Sequence, residues 1–189
     1  MKSLVSSLTR LHNGVFGFFE RLFDGWFLGL LARMVFSSVT LLFFWNSAKT
    51  KIGANILTPS TGAYAQIFPK KFEAAGYDAD AMSALDTLIV LAGTYAEFIL
   101  PALILVGLFT RLSAVGMIGF IVVMSIVDIT GHGLDAKTIG AMFDRIQDGV
   151  IADQRLLWIF PLIYLALKGA GAISLDAVFG RTRRAAGAA

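Results

Sequence analysis

The sequence predicts an all-α, polytopic membrane protein: a four-transmembrane-helix bundle with an N-terminal amphipathic interfacial helix and short helices in the outer loops. Of the 189 residues, 57% are hydrophobic and 15% are charged, whereas a soluble domain carries about 25% charged residues. Four apolar stretches each approach the ~20 residues needed to cross the hydrocarbon core. The chain has no cysteine, which excludes iron–sulfur clusters and covalent c-type haem within it.

The first segment, residues 1–25, has the pattern of a helix that lies along the membrane surface. Its apolar residues recur at helical spacing, and its polar and charged residues fall on the opposite side. The apolar stripe consists of Leu4, Leu8, Leu11, Val15, Phe18, Leu22 and Trp26. Packing of this stripe on a soluble partner is the alternative interpretation.

The predicted transmembrane domain covers residues 26–172, with spans at about 26–48, 85–109, 111–131 and 153–172. Because the connection between the second and third spans is very short, these two spans should form an antiparallel hairpin. Pro161 lies inside the last span and is tolerable there, since neighbouring helices can satisfy the carbonyl that it frees. Residues 173–189 form a basic tail.

The distribution of basic residues favours an orientation with both termini in the cytoplasm. Two substantial outer loops then connect the spans. In the first loop, Pro69 is predicted to begin a short helix that runs through Ala75. In the second, Ile139, Met142, Phe143 and Ile146 repeat at helical spacing and predict an interfacial helix.

Glu97 is the most informative single residue, because it lies near the middle of the second span. A charge at that depth is costly, and such residues usually face the bundle interior. Three interpretations stay open: an ion pair with Arg33, a protonated carboxyl, or a proton or ligand site. We predict a buried polar core of Arg33, Tyr95 and Glu97.

A second polar cluster is expected at the outer ends of the spans. Asp128 and His132 are four residues apart and should share one helix face. A carboxylate beside an imidazole suits proton transfer to a bound molecule. The alternatives are a hydrated helix end with ordinary ion pairs, or a metal site. The candidate ligand or proton site consists of Asn46, Lys49, Asp128, His132 and Arg155.

Haem and metal are not assigned to this chain. The two histidines, His12 and His132, are predicted on opposite sides of the membrane, so they cannot both ligate one haem. Gly25 and Gly29 have the spacing of a close helix contact, which favours tight packing within the bundle and leaves a homodimer as an alternative. No basic-aromatic run of the kind that nucleic-acid binding needs is present.

Several short motifs carry a family resemblance. They are Leu31-Ala32-Arg33, Trp45-Asn46-Ser47-Ala48-Lys49, Tyr95-Ala96-Glu97, Leu105-Val106-Gly107-Leu108-Phe109-Thr110-Arg111-Leu112, and Gly169-Ala170-Gly171-Ala172-Ile173-Ser174-Leu175-Asp176. Together they resemble the DoxX/DoxD-like family of bacterial four-helix membrane proteins, over about residues 30–179. Family members often have a glycine where Asn46 stands.

The resemblance implies a bundle in the bacterial inner membrane. The family includes the small subunit of a thiosulfate:quinone oxidoreductase, and other members resemble partners of redox-stress proteins. The expected function is therefore a membrane subunit or accessory of a quinone-linked redox system, which binds a quinone or similar amphiphile and works with a partner protein. The alternatives are a transporter or assembly factor for a metal, metallophore or small solute, and a membrane anchor without catalysis.

Overall fold

The structure, a computed structural model, describes the backbone of residues 2–186 and the side chains of residues 5–180. It is all-α, as predicted. The helices are α1 (Lys2–Phe23), α2 (Phe27–Lys51), α3 (Thr61–Ile67), α4 (Pro69–Ala74), α5 (Ala84–Val106), α6 (Thr110–Ile126), α7 (Ala136–Ile139), α8 (Leu156–Lys168) and α9 (Leu175–Ala186). A π-helical turn, Val127–Gly131, continues α6, and a second, Val150–Arg155, leads into α8.

Four helices are long and apolar enough to cross a membrane: Phe27–Lys51, Ala84–Val106, Thr110–Gly131 and Val150–Lys168. They form a ring in which α2 and α6 each pack against both α5 and α8. The core between them is apolar and fully shielded from solvent. Its largest members are Phe36, Phe44, Ile104, Met117, Ile121, Leu162 and Leu165. The fold is therefore a four-helix membrane bundle, as the apolar stretches predict.

The two ends of the bundle differ. At one end, here called the terminal face, the Ala172 backbone N–H donates to Gly25 O at 2.8 Å, so the turn between α1 and α2 lies beside the link between α8 and α9. At the other end, here called the loop face, α3, α4 and α7 connect the spans. A Cβ on Gly29 would lie 2.6 Å from the Ala170 carbonyl carbon, so this glycine serves close packing within the chain.

On the loop face, side-chain hydrogen bonds connect α3 and α4 to the beginning of α5. The Lys71 ammonium contacts both carboxylate oxygens of Asp86 at 2.7 Å, and the Tyr64 hydroxyl is 2.8 Å from Thr87 Oγ1. The Ser83 side chain caps α5 by accepting from the Asp86 backbone N–H. The short helix predicted over 69–75 is confirmed as α4.

The interfacial helix predicted from Ile139 to Ile146 is wrong. Helix α7 ends at Ile139, and Gly140 follows with φ +79°. A Cβ on Gly140 would lie 3.0 Å from the Cα of Gly149, so the two glycine backbones meet and pinch residues 141–148 into a loop. Phe143 stands fully exposed on that loop with φ +64°. Residues 141–148 are therefore not helical, although their apolar residues have helical spacing.

Candidate functional site

The loop-side half of the bundle contains a cavity of about 570 Å³. This volume lies within the ~300–1,000 Å³ range of small-molecule sites. Helices α5 and α6 form its two long walls, α2 and the beginning of α8 close its back, and α3 lies over its loop-side end. Most of the lining is apolar. It includes Phe43, Ile67, Ile89, Leu100, Phe120, Val123, Met124 and Val127.

The charged residues of the lining, here called the polar wall, form two ion pairs, and the first ion pair joins α2 to α5. The Lys51 ammonium lies 2.8 and 2.9 Å from the two carboxylate oxygens of Glu97. It also donates to Ser47 Oγ at 2.6 Å, and that hydroxyl lies 3.4 Å from Glu97 Oε1. The side chains of Lys51 and Glu97 are both 5% exposed. Pairing is what makes two charges tolerable at this depth, because each unpaired charge would lose its hydration.

The second part of the polar wall is an ion pair between the two π-helical turns. Asp128 lies on the turn that continues α6, Arg155 ends the turn that leads into α8, and their side chains form an ion pair. Arg155 also donates from Nη1 to Ser125 Oγ at 2.9 Å. Its Nε is buried and has no hydrogen-bond partner among the residues that the structure describes. The hydrogen bonds to Ser125 and Asp128 thus engage two of the five N–H groups of this guanidinium.

His132 lies at the loop-side edge of the cavity, directly after the π-helical turn of α6. Its Nε2 is 3.1 Å from the Gln66 backbone oxygen, so the imidazole joins the end of α6 to α3. Because a carbonyl oxygen can only accept, Nε2 carries the hydrogen in this contact. In the neutral ring Nδ1 is then an acceptor.

The structure brings together three of the five residues predicted for the ligand or proton site and one residue predicted for the polar core. Glu97, Asp128, His132 and Arg155 all line the same cavity, although the sequence analysis placed Glu97 in a separate core. Asn46 and Lys49 are exposed and lie outside it. They occupy the face of α2 that points away from Ser47 and Lys51.

Of the three interpretations left open for Glu97, the ion pair with Arg33 is wrong. Arg33 is buried, but it donates from Nη2 to the Ile173 backbone oxygen at 2.6 Å. A Cβ on Gly107 would lie 2.0 Å from Arg33 Nη1, so this guanidinium is beside Gly107. Gly107 is ten residues beyond Glu97 along the chain, a separation of about 15 Å at 1.5 Å per helical residue. Arg33 therefore belongs to the terminal face.

Tyr95 also lies apart from the cavity. Its hydroxyl donates to the Ile56 backbone oxygen in the loop between α2 and α3, and the ring is only half-buried. The predicted polar core of Arg33, Tyr95 and Glu97 is thus divided among three places.

Two cavity residues, Ser47 and Lys51, were not among the predicted site residues. The predicted span ended at residue 48, whereas α2 continues to Lys51. The signal that could have found them is their spacing of four residues, which places both on one helix face and within reach of a single carboxylate.

The electrostatics of the site follow from these contacts. The charged side chains that line the cavity are two cations, Lys51 and Arg155, and two anions, Glu97 and Asp128. Their formal charges cancel, so the wall offers hydrogen bonds without a strong preference for an ionic ligand. Among the residues that the structure describes, no group of three or more His, Asp or Glu side chains could hold a metal ion.

The arrangement can hold a molecule that has an apolar body and a small polar head. Arg155 offers hydrogen-bond donors, Nδ1 of the neutral His132 ring is an acceptor, and the carboxylates are acceptors that can also take a proton. No protein-family model, no curated protein sequence and no solved structure matches this chain.

Proposed function

We propose that this protein is a membrane subunit or accessory of a quinone-linked redox system and that it binds a quinone, or a similar amphiphile, in the cavity between α5 and α6. The observation that carries the proposal is an apolar cavity of about 570 Å³ whose one polar wall has no net charge. A quinone is an uncharged, mostly apolar ring that presents carbonyl oxygens, and its chemistry matches both properties of the cavity.

The side chains present fit such a head group. Carbonyl oxygens need donors, and Arg155 lines the cavity with a guanidinium of five N–H groups, two of which bind Ser125 and Asp128. Lys51 Nζ and His132 Nε2 already donate to Glu97, Ser47 and the Gln66 carbonyl, so they would serve a head group only by exchanging these partners. When bound, a quinone would supply two-electron chemistry coupled to proton uptake. Glu97 and Asp128 are the carboxylates that would take up such protons and pass them to the head group.

A redox role requires a partner for electrons. Cysteine is absent from the chain, so the protein cannot use a thiol–disulfide pair of its own. We therefore propose a partner protein that exchanges electrons with the bound molecule. The resemblance of the chain to DoxX/DoxD-like proteins supports this arrangement and a place in the bacterial inner membrane. The distribution of basic residues supports an orientation with both termini in the cytoplasm.

The proposal is tested by the quinone content of the protein purified in mild detergent. Solvent extraction and mass spectrometry should find close to one quinone per chain in the wild type and in Lys49→Gln, which alters an exposed lysine outside the cavity. Glu97→Gln should hold less, because it leaves the Lys51 ammonium without its carboxylate and gives the wall a net charge.

An unrelated membrane protein, expressed and purified identically, sets the background. Quinone at that background in the wild type would overturn the proposal. Attention would then pass to uptake of metals or small solutes into liposomes, and to proteins that co-purify with the chain.

A further inference from the structure

Glycine and alanine line the cavity on the facing sides of α5 and α6. On α5, the cavity-lining positions Ala92, Gly93 and Ala96 follow one face of the helix, and on α6 Gly116 and Gly119 do the same. Small side chains usually let two helices approach closely. Here the two helix faces stay apart and leave a gap between α5 and α6, which forms part of the cavity.

The gap is closed at both ends. Toward the terminal face, a Cβ on Gly116 would lie 3.4 Å from Leu100 Cδ2, which is ordinary packing distance. Toward the loop face, a Cβ on Gly93 would lie 3.7 Å from Ile67 Cδ1 of α3, and the His132 contact with Gln66 holds α3 in place. Between these two closures, a Cβ on Gly119 would meet no atom within 4 Å.

The open stretch faces outward from the bundle at the depth of the membrane. Ala92, Gly116 and Gly119 are exposed although they line the cavity, and so are Val123 (60%) and Ile89 (43%) on the rims. All of these positions lie within helices that are long and apolar enough to cross a membrane. At such positions, the surrounding medium is lipid acyl chain rather than water.

We infer that the gap between α5 and α6 is a lateral portal to the lipid, through which the apolar chain of the bound amphiphile leaves the cavity beside Gly119. The inference rests on the proposed function and narrows its ligand to a class, namely amphiphiles with a long apolar tail. The head lies at the polar wall of Lys51, Glu97, Asp128 and Arg155, and the tail passes between the helices into the bilayer.

The test compares two quinones that have the same ring, one with a multi-isoprene tail and one without a tail, on the full-length protein in lipid nanodiscs. The tailed quinone should bind the wild type more tightly. Gly119→Trp fills the open space, so it should weaken binding of the tailed quinone by about tenfold or more and leave the tail-less quinone unaffected. Val122→Trp, on an exposed neighbouring position outside the cavity, should change neither affinity.

Three outcomes would count against the portal. Wild-type affinity of Gly119→Trp for the tailed quinone would overturn it while leaving the proposed function intact. Loss of both quinones in Gly119→Trp would overturn it as well, because the side chain would then block the head site. If neither quinone binds the wild type, the proposed function fails and the portal fails with it.

A second measurement applies even if Gly119→Trp does not fold. Because the chain has no cysteine, Gly119→Cys and Val122→Cys each carry a single labelling site. A nitroxide at residue 119 should become less accessible to oxygen, a lipid-soluble paramagnetic relaxation agent, when the tailed quinone is added. Its accessibility should not change when the tail-less quinone is added. The label at residue 122 should stay equally accessible throughout. An unchanged signal at residue 119, with the tailed quinone bound, would overturn the portal.

Discussion

Asp128 and Arg155 form their ion pair from two π-helical turns, one at the end of the third span and one at the beginning of the fourth. A π-helical turn inserts one extra residue into the helical register and is commonly found where a side chain must be re-aimed at a site. In this protein, the two turns aim opposite charges at each other and place both at the wall of the cavity.

We expect this ion pair to stabilise the junction of α6 and α8. Arg155→Met leaves Asp128 without its partner, and removing one member of a buried pair costs up to about 3–5 kcal/mol. The 23% exposure of the Asp128 side chain places the expected loss toward the lower end of that range.

Thermal unfolding in detergent checks the pair, with Asp128→Asn and the double variant completing a cycle. The double variant should lose less stability than the sum of the two single variants. Arg145→Met, which alters an exposed arginine of the loop, serves as the control. Strict additivity in the cycle would show that the pair contributes nothing as a pair.

The contrast between Lys51 and Lys49 provides a second prediction. Both lysines lie in the last turn of α2, but Lys51 is buried against Glu97 whereas Lys49 is exposed. Lys51→Met should lower the unfolding temperature, because it leaves a carboxylate unpaired inside the bundle, and Lys49→Met should leave it close to the wild type. Equal unfolding temperatures for the two variants would refute the pairing. Combining Lys51→Met with Glu97→Leu should restore part of the loss.

Gly107 provides a third prediction, because two independent constraints meet there. Its φ of +69° favours glycine, and a Cβ would lie 2.0 Å from Arg33 Nη1. Gly107→Ala should destabilise the bundle by more than the ~1 kcal/mol that the left-handed conformation alone costs. Gly119→Ala is the control at an open position, and it should be at least as stable as the wild type because alanine is the better helix former. A thermal scan in which both variants match the wild type would contradict the close approach of Arg33.

A fourth prediction concerns Asp176, whose carboxylate accepts from the backbone N–H groups of Phe109 and Thr110 at 2.8 and 2.9 Å. These are among the unpaired donors at the beginning of α6, and loss of such a cap typically costs about 1 kcal/mol. Asp176→Ala should therefore lower stability and speed hydrogen exchange of the amides that begin α6. Asp148→Ala, at an exposed loop position, should do neither, and unchanged exchange in Asp176→Ala would count against the cap.

The spans and the fold class were predictable because both depend on the local average of hydropathy. A stretch of about 20 apolar residues excludes other structures in lipid regardless of its detailed packing. The helix begun by Pro69 was predictable for a similar reason, since proline at a first helical turn acts locally.

The partners of Glu97 were not predictable in the same way. Identifying Lys51 rather than Arg33 as the partner of Glu97 requires knowing where each long side chain ends relative to α5. That position depends on the axial offset between α2 and α5. The end of α2 also mattered, because a span that stops at residue 48 leaves Lys51 in a loop. Hydropathy cannot place that end, since Lys49, Thr50 and Lys51 are polar whether they are helical or not.

The cavity was beyond sequence reasoning because it arises where packing is incomplete. Gly116 and Gly119 were visible as small residues, and small residues ordinarily indicate contact. Only the position of Leu100 on α5 shows that Gly116 is in contact and Gly119 is not. The pinch between Gly140 and Gly149 is a similar case, in which a meeting of distant backbones overrode a regular helical pattern.

The segment that carries Ile173 and Asp176 has a consequence for how the protein is made. The hydrogen-bond partner of Arg33 is the carbonyl of Ile173, 140 residues later in the chain. The backbone N–H of Thr110, at the beginning of α6, donates to the carboxylate of Asp176, 66 residues later. Synthesis proceeds from the N-terminus, so the early spans enter the membrane before these partners exist. The hydrogen bonds of the terminal face therefore form only after the fourth span has been synthesised, and a chain that stops short of residue 173 would lack them.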